Sequence, residues 1–465
     1  MPVNHYFDKP IAKILQCLCI VVVAFFCACS DDSDACLGNA LETTVAASMV
    51  DLSSSSEASS SSEAIVYPES FKPDDEEYPY AGIPRIVIYT NNQKKIKNRE
   101  TEIPAKLQIW GEKEAESEIM DLTIRGRGNS SWNLMPQKSY KIEFVNKQKM
   151  LGMPKDRDWA LIANYADKSL MKNYLMYHLS TELGAFYSPR CEYAELYLNE
   201  EYLGVYLLTE TIKISKKRVN VPEDDNSYLV EVDGKYHDDE QVVFSDTIQN
   251  SYDKNSFRIH EPKNASEQVL QNIENRIRSF ESYLINITEN ADNKINRWIN
   301  IDDYVKYYWV QEFSKNPDAG FNTSVYFVWE NDSALRMGPV WDFDISCGGH
   351  NDVAHIHPED WYIKDASWNA YVFKDSVMNQ ARIDFWKKNK SQFERTLDVV
   401  DSLQTALNDA AQNNFKKWDI LGSTSIAYFH NALKSYDDAV ADLKKWLTNR
   451  IQWIDQQIGP PLSND

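Results

Sequence analysis

Asp318, with Asn322 four residues later, stands after an apolar helical run and before a strand-like one. An aspartate in such a loop can take the proton of an attacking hydroxyl, and the amide can ligate a metal ion. The spacing is one residue shorter than the Asp-to-Asn step of protein kinase catalytic loops. Further on, Trp341-Asp342-Phe343-Asp344 closes a second strand. A carboxylate at a strand end offers hard oxygen donors to a Mg²⁺ that bridges nucleotide phosphates. Upstream, Arg125-Gly126-Arg127-Gly128-Asn129 reads as a loop before a strand, its glycines permitting close approach to phosphates and its arginines adding positive charge. Lys138 and Lys141 follow on that strand and face opposite ways, because strand side chains alternate, so one enters a cleft while the other is solvated. A lysine that neutralises phosphate needs a carboxylate to hold it. Glu210 is the expected partner, with Glu195 on the facing strand as competitor. Each motif alone is equally a turn, a cap or a surface carboxylate. Five parts in this order point to phosphoryl transfer.

The elements that must carry these residues can be read from hydrophobic spacing. Strand-like runs cover 85–90, 105–110 and 138–144; Asp167 is expected to cap a helix that Gly184 stops. A tight hairpin joins 194–198 to 202–209, and 228–232 is a further strand. Asp302 is expected to cap a helix over 304–313, and a second hairpin, 325–329 with 337–341, ends in the acidic motif. The last helix repeats Val440, Leu443, Leu447, Ile451, Ile454 and Ile458 at helical spacing. The pattern predicts an α+β fold, sheet-rich first and helix-rich later, without internal repeats. His350, His355 and His357 are read as a solvated loop rather than a transition-metal site. The aromatic residues, 12% of the chain, are read as core filling before sugar stacking.

Residues 125–132, 138–144, 151–173, 194–212, 228–233 and 338–344 together resemble the spore-coat CotH kinase-like family. The most specific pieces are EYLGVYLLTETI (201–212) and GPVWDFDIS (338–346). The resemblance spans residues 80–350. It implies an atypical, strongly diverged protein-kinase-like fold that phosphorylates Ser or Thr of partner proteins with ATP and a divalent metal, Mg²⁺ or Mn²⁺. By that resemblance Asp318 is the catalytic aspartate, Asp342 the metal-binding one, Lys138 the lysine of the K-S-Y-K strand and Glu210 its glutamate. Arg125 and Arg127 join Lys138 on the nucleotide, and Asn322 and Ser324 rival each other as a second metal-side ligand. Asp344 is not always acidic in the family. The hairpin turn here is Asn199-Glu200 where members often have Asn-Gly, so a different turn is expected. Competing expectations are an inactive surface binding or scaffold protein on this fold, in adhesion or carbohydrate handling, and a metal-dependent phosphate-ester hydrolase.

The 465 residues carry a formal net charge of −21, which repels nucleic acid and excludes a phosphate-backbone binder. Lys9 and Lys13 precede the apolar run 14–26, an export-signal pattern too short for a comfortable membrane span. Phe26-Cys27-Ala28-Cys29-Ser30 resembles a bacterial lipobox, predicting a lipid-modified Cys29 after a signal peptide over 1–28. Ser30 then favours an outer membrane, by resemblance. Residues 29–77, with the serine and glutamate run 53–63, read as a disordered tether. A core over 78–350 and a helical extension over 351–465, packed on it, complete the expected organisation. The expected product is an extracytoplasmic, lipid-anchored protein whose partners are ATP and a protein substrate; the sequence sets no oligomeric state. Cys191 and Cys347 are expected to be two buried thiols rather than a bridge.

Overall fold

In the computed structural model, seven strands close into a barrel because their apolar residues fall on alternate positions. These are β1 (Arg85–Thr90), β2 (Ile103–Trp110), β3 (Met120–Arg127), β4 (Ser139–Gln148), β5 (Asp156–Ala163), β6 (Cys191–Leu198) and β7 (Glu201–Glu210). The order round the barrel is β1-β2-β3-β4-β5-β7-β6, with β1 and β6 parallel and every other pair antiparallel. Ile103, Ala105, Leu107 and Ile109 of β2 meet Leu122 and Ile124 of β3 and Tyr140, Ile142 and Phe144 of β4 inside. Their neighbours Ser139, Lys141 and Glu143 therefore face outward. A short helix α1 (Ser130–Leu134) and the longer α2 (Lys172–Glu182) interrupt the strands. The structure describes residues 66–235, 240–248, 255–287, 294–330, 332–424 and 432–458.

A second sheet is antiparallel and five-stranded. It contains β8 (Ser227–Val232), β9 (Val242–Ser245), β10 (Asn255–Glu261), β11 (Val325–Glu330) and β12 (Arg336–Met337), in the order β12-β11-β8-β10-β9. Around it lie α3 (Glu267–Ile285), the single-turn α4 (Ile295–Trp298), and α5 (Ile301–Ser314), followed by the short α6 (Val353–Ile356) and α7 (Asn369–Val372). Three long helices finish the chain: α8 (Ser376–Glu394), α9 (Thr396–Lys417) and α10 (Tyr436–Ile458). Their buried faces join the large core under the second sheet. In α10 the buried stripe is Val440, Leu443, Leu447, Ile451 and Ile454, the apolar side of an amphipathic helix. The protein is thus α+β, sheet-rich at its N-terminal side and helical at its C-terminal side.

Local readings shift by a few residues. α2 begins at Lys172, and Asp167 instead closes the preceding turn by accepting from Ser169 and from the Lys172 amide. Asn300 rather than Asp302 caps α5, through the Asp303 amide at 3.1 Å. Arg125 and Gly126 lie within β3, not in a loop, and a side chain at Gly126 would strike the Trp132 ring. Asn199 and Glu200 both have positive φ, 50° and 71°, so the hairpin keeps the primed geometry expected to be lost.

The signal segment, Cys29 and the tether as far as 65 lie outside the described residues. From 66 onward the expected tether is packed chain. Phe71 is buried edge-on against Tyr89, Tyr67 and Tyr78 join the same cluster, and Asp75 pairs with the buried Arg85. The acidic composition of this stretch masked its three aromatic anchors. Cys191 and Cys347 are free thiols.

Candidate active site

One cleft of about 740 Å³ has a barrel wall and a second-sheet wall. Arg125, Arg127, Gly128, Lys141, Asp158 and Lys213 line the barrel side; Glu231, Asp233, Arg258, His260 and Tyr326 line the other. Between them stand Asp318, Thr323, Ser324, Asp342 and Asp344.

The acidic residues come from two loops that the fold ties together. α5 ends at Lys315, whose φ of 44° is left-handed and turns the chain out of the helix. The Asn316 amide then donates to Gln311 Oε1 at 3.0 Å and to the Asp342 carbonyl at 2.9 Å. Asp342 has a φ of 64°, an uncommon conformation for a residue with a side chain. It persists because its neighbours are fixed: Phe343 is fully buried, and its amide donates to Asn173 Oδ1 of α2 at 2.8 Å. Arg127, from the end of β3, lies over the Trp341 ring at 5.0 Å.

Burial and mutual repulsion shape the charges here. Burial, then the Asp342 carboxylate, pushes the Asp318 carboxyl up to about 7, against the nearby Lys235. Asp342 is also raised, chiefly by burial; Arg127 and a hydrogen bond from Asp344 oppose this. Asp344 is driven well above the usual carboxylate range by burial, Asp342 and Asp318. Three carboxyls holding one another's protons form a site that favours added positive charge. Among the described residues, no group of three or more His, Cys, Asp or Glu side chains is arranged as a ready-made metal cage. A divalent ion held by one or two carboxylates and by nucleotide oxygens needs no such cage.

Of the residues expected from sequence, Asp318, Asp342, Asp344, Arg125 and Arg127 line this cleft. Lys138, Glu210 and Asn322 are not among its lining residues. Lys138 lies just before β4; its ammonium donates to the Trp132 carbonyl and sits 5.6 Å from that ring. The lysine on the cleft face is Lys141, 3.4 Å from Asp158. Burial would raise Asp158, but Lys213 and Lys141 hold it below the usual range. Glu210 is fully buried elsewhere, bonded by Arg190 at 2.8 Å and by the Tyr187 hydroxyl at 3.1 Å. The Asn322 amide donates to the Pro317 carbonyl at 3.1 Å, and its rival Ser324 reaches the cleft.

Sequence reasoning missed the sheet wall. His260 Nε2 lies 2.6 Å from Glu231 Oε2, and Arg258 is 3.6 Å from the same oxygen. Burial raises Glu231, yet His260 and Arg258 outweigh it and hold the carboxyl low. Asp233 accepts from the Thr323 hydroxyl at 3.0 Å, joining this wall to the Asp318 loop. Lys141 was legible: Tyr140, Ile142 and Phe144 mark the inner face, and Lys141 is on the other. The His350 and His355 rings lie 5.2 Å apart, with His355 pushed down to about 4 by burial.

No curated protein matches the chain. A family model described as CotH kinase protein matches residues 124–454, most of the chain and through the long C-terminal helices. The chain therefore belongs to the CotH kinase family and is a kinase-like protein.

Proposed function

We propose that this protein is a surface-anchored atypical kinase that transfers the γ-phosphate of ATP to Ser or Thr of a partner protein. The observation that carries the reading is the convergence of Asp318, Asp342 and Asp344 with Arg125, Arg127 and Lys141 on one cleft. When bound, Mg²⁺ or Mn²⁺ supplies charge neutralisation at the phosphates, and Asp342 with Asp344 would hold it. Arg125, Arg127 and Lys141 supply fixed positive charge on the nucleotide side. Asp318 orients the acceptor hydroxyl and takes its proton; a carboxyl titrating near neutrality suits that task. Anchoring through Cys29, to an outer membrane where the cell has one, belongs to the same proposal and rests on the lipobox-like run 26–30.

The test is transfer of labelled phosphate by the full chain with Mn²⁺ or Mg²⁺, beside Asp318→Ala and Asp342→Ala. Each substitution is expected to cost about 10²-fold or more. Equal labelling in all three chains would remove these residues from the reaction. Absence of ATP binding by calorimetry would favour a scaffold, and phosphate release without protein labelling a hydrolase.

A further inference from the structure

The segment after α6 is held by an unusual density of buried bonds. Lys315 Nζ donates to the carbonyls of His357 and Glu359 at 2.9 and 2.6 Å. Arg450 of α10 donates to the alternate carbonyls, Pro358 at 2.7 Å and Asp360 at 2.8 Å. Four successive carbonyls are thus taken by two cations. Arg450 also pairs with Glu312 Oε1 of α5 at 2.7 Å, both side chains being 0% exposed. Glu312 in turn accepts the amides of Tyr362 and Lys364, at 3.0 and 2.7 Å. Everything converges on Tyr362.

Its side chain leads into the acidic loop. The Tyr362 hydroxyl donates to the Pro317 carbonyl at 3.3 Å, one peptide before Asp318. The same carbonyl accepts the Asn322 amide from the loop's other end. A Cβ at Gly320 would lie 2.7 Å from the Tyr362 hydroxyl, so the loop wraps it at a distance only glycine allows. Burial and the Asp318 carboxylate together push that hydroxyl up to about 12, keeping it a donor.

We infer that Tyr362 is a positioning residue for Asp318, and that the Glu312–Arg450 pair fixes Tyr362, so the C-terminal helix α10 sets the geometry of the acidic loop. This rests on Asp318 acting in the proposed phosphoryl transfer.

The experiment uses the full chain with Tyr362→Phe, Gly320→Ala and the double variant, read by transfer kinetics and by amide hydrogen exchange. Tyr362→Phe is expected to lower kcat about five- to tenfold, one hydrogen bond's worth, with KM for ATP within about twofold. The Asn322 and Thr323 amides, which donate to the Asp318 carbonyl, are expected to exchange faster while the barrel stays protected. Gly320→Ala is expected to cost less in the Tyr362→Phe background than alone, because the crowding hydroxyl is gone. Unchanged kcat, additive losses, or a kcat loss without faster loop exchange would each overturn the inference. If the parent chain transfers no phosphate, the kinase reading fails separately. Loop exchange alone then decides: protection unchanged in Tyr362→Phe overturns the inference, and a localised loss keeps Tyr362 as the residue that holds this loop.

Discussion

At the scale of single residues, position relative to β4 decides which lysine serves the cleft. Lys138 lies just before β4 and is held against Trp132, whereas Lys141 lies on the outer face of β4 beside Asp158. Lys141→Met is therefore expected to lower phosphate transfer about 10²-fold, as loss of a preorganised charge does. Lys138→Met is expected to stay within about twofold, the effect of an ordinary surface substitution. Transfer rates of the two variants under saturating ATP check this; the reverse order would return the role to Lys138. The family resemblance had assigned it to Lys138 because a short K-S-Y-K string holds two lysines, and only the register with Tyr140 and Ile142 separates them.

At the scale of elements, the β6–β7 hairpin carries a local mismatch. Glu200 adopts a φ of 71° in a primed turn, where glycine has no steric penalty. Glu200→Gly is expected to stabilise the protein by up to about 1 kcal/mol, the left-handed penalty of roughly 1–2 kcal/mol less glycine's entropic cost of roughly 0.5–1 kcal/mol, measured as a rise in denaturation midpoint at constant slope. A lower midpoint would show that the side chain contributes more than the turn strain costs. The hairpin itself was legible because apolar alternation brackets two polar residues. The packing of 66–78 was not, since Tyr67, Phe71 and Tyr78 are widely spaced anchors that only the finished barrel brings together.

At the scale of the whole molecule, charge and stability are linked through the acidic loops. Asp318 titrates near 7 in the folded chain against an ordinary value of 3.8, so between those limits the folded state binds more protons than the unfolded. Its share of stability is present at low pH and is lost as pH rises toward 7. His355 works in the opposite sense, its folded value of about 4 lying below 6.5, so its share grows with pH over that window. Mn²⁺ competes with the protons on the carboxyls. It is expected to raise the melting temperature more at pH 8 than at pH 5, with about 2.7 kcal/mol of stabilisation at a hundredfold excess over Kd. Asp342→Asn is expected to remove most of that response. A metal shift independent of pH, or retained in Asp342→Asn, would place the ion elsewhere. The same scale includes α9, whose Asn414 side chain accepts the Val205 amide of β7 at 3.0 Å, joining helices to barrel.

The α+β order, the β6–β7 hairpin, the stripe of the last helix and the acidic motifs at Asp318 and Asp342 were determined by the chain alone, whereas the return strand expected over 337–341 is only Arg336–Met337. The features so determined depend on periodicity and turn chemistry, which are local. Tertiary structure alone decided that Glu210 is an internal ion-pair partner of Arg190 and that Glu231, Arg258 and His260 wall the cleft. It also decided that Arg450 reaches Glu312 across 138 residues of sequence. Which carboxylate faces a cavity and which is spent on a buried cation is set by strand pairing and helix packing between distant segments, and no local spacing records that.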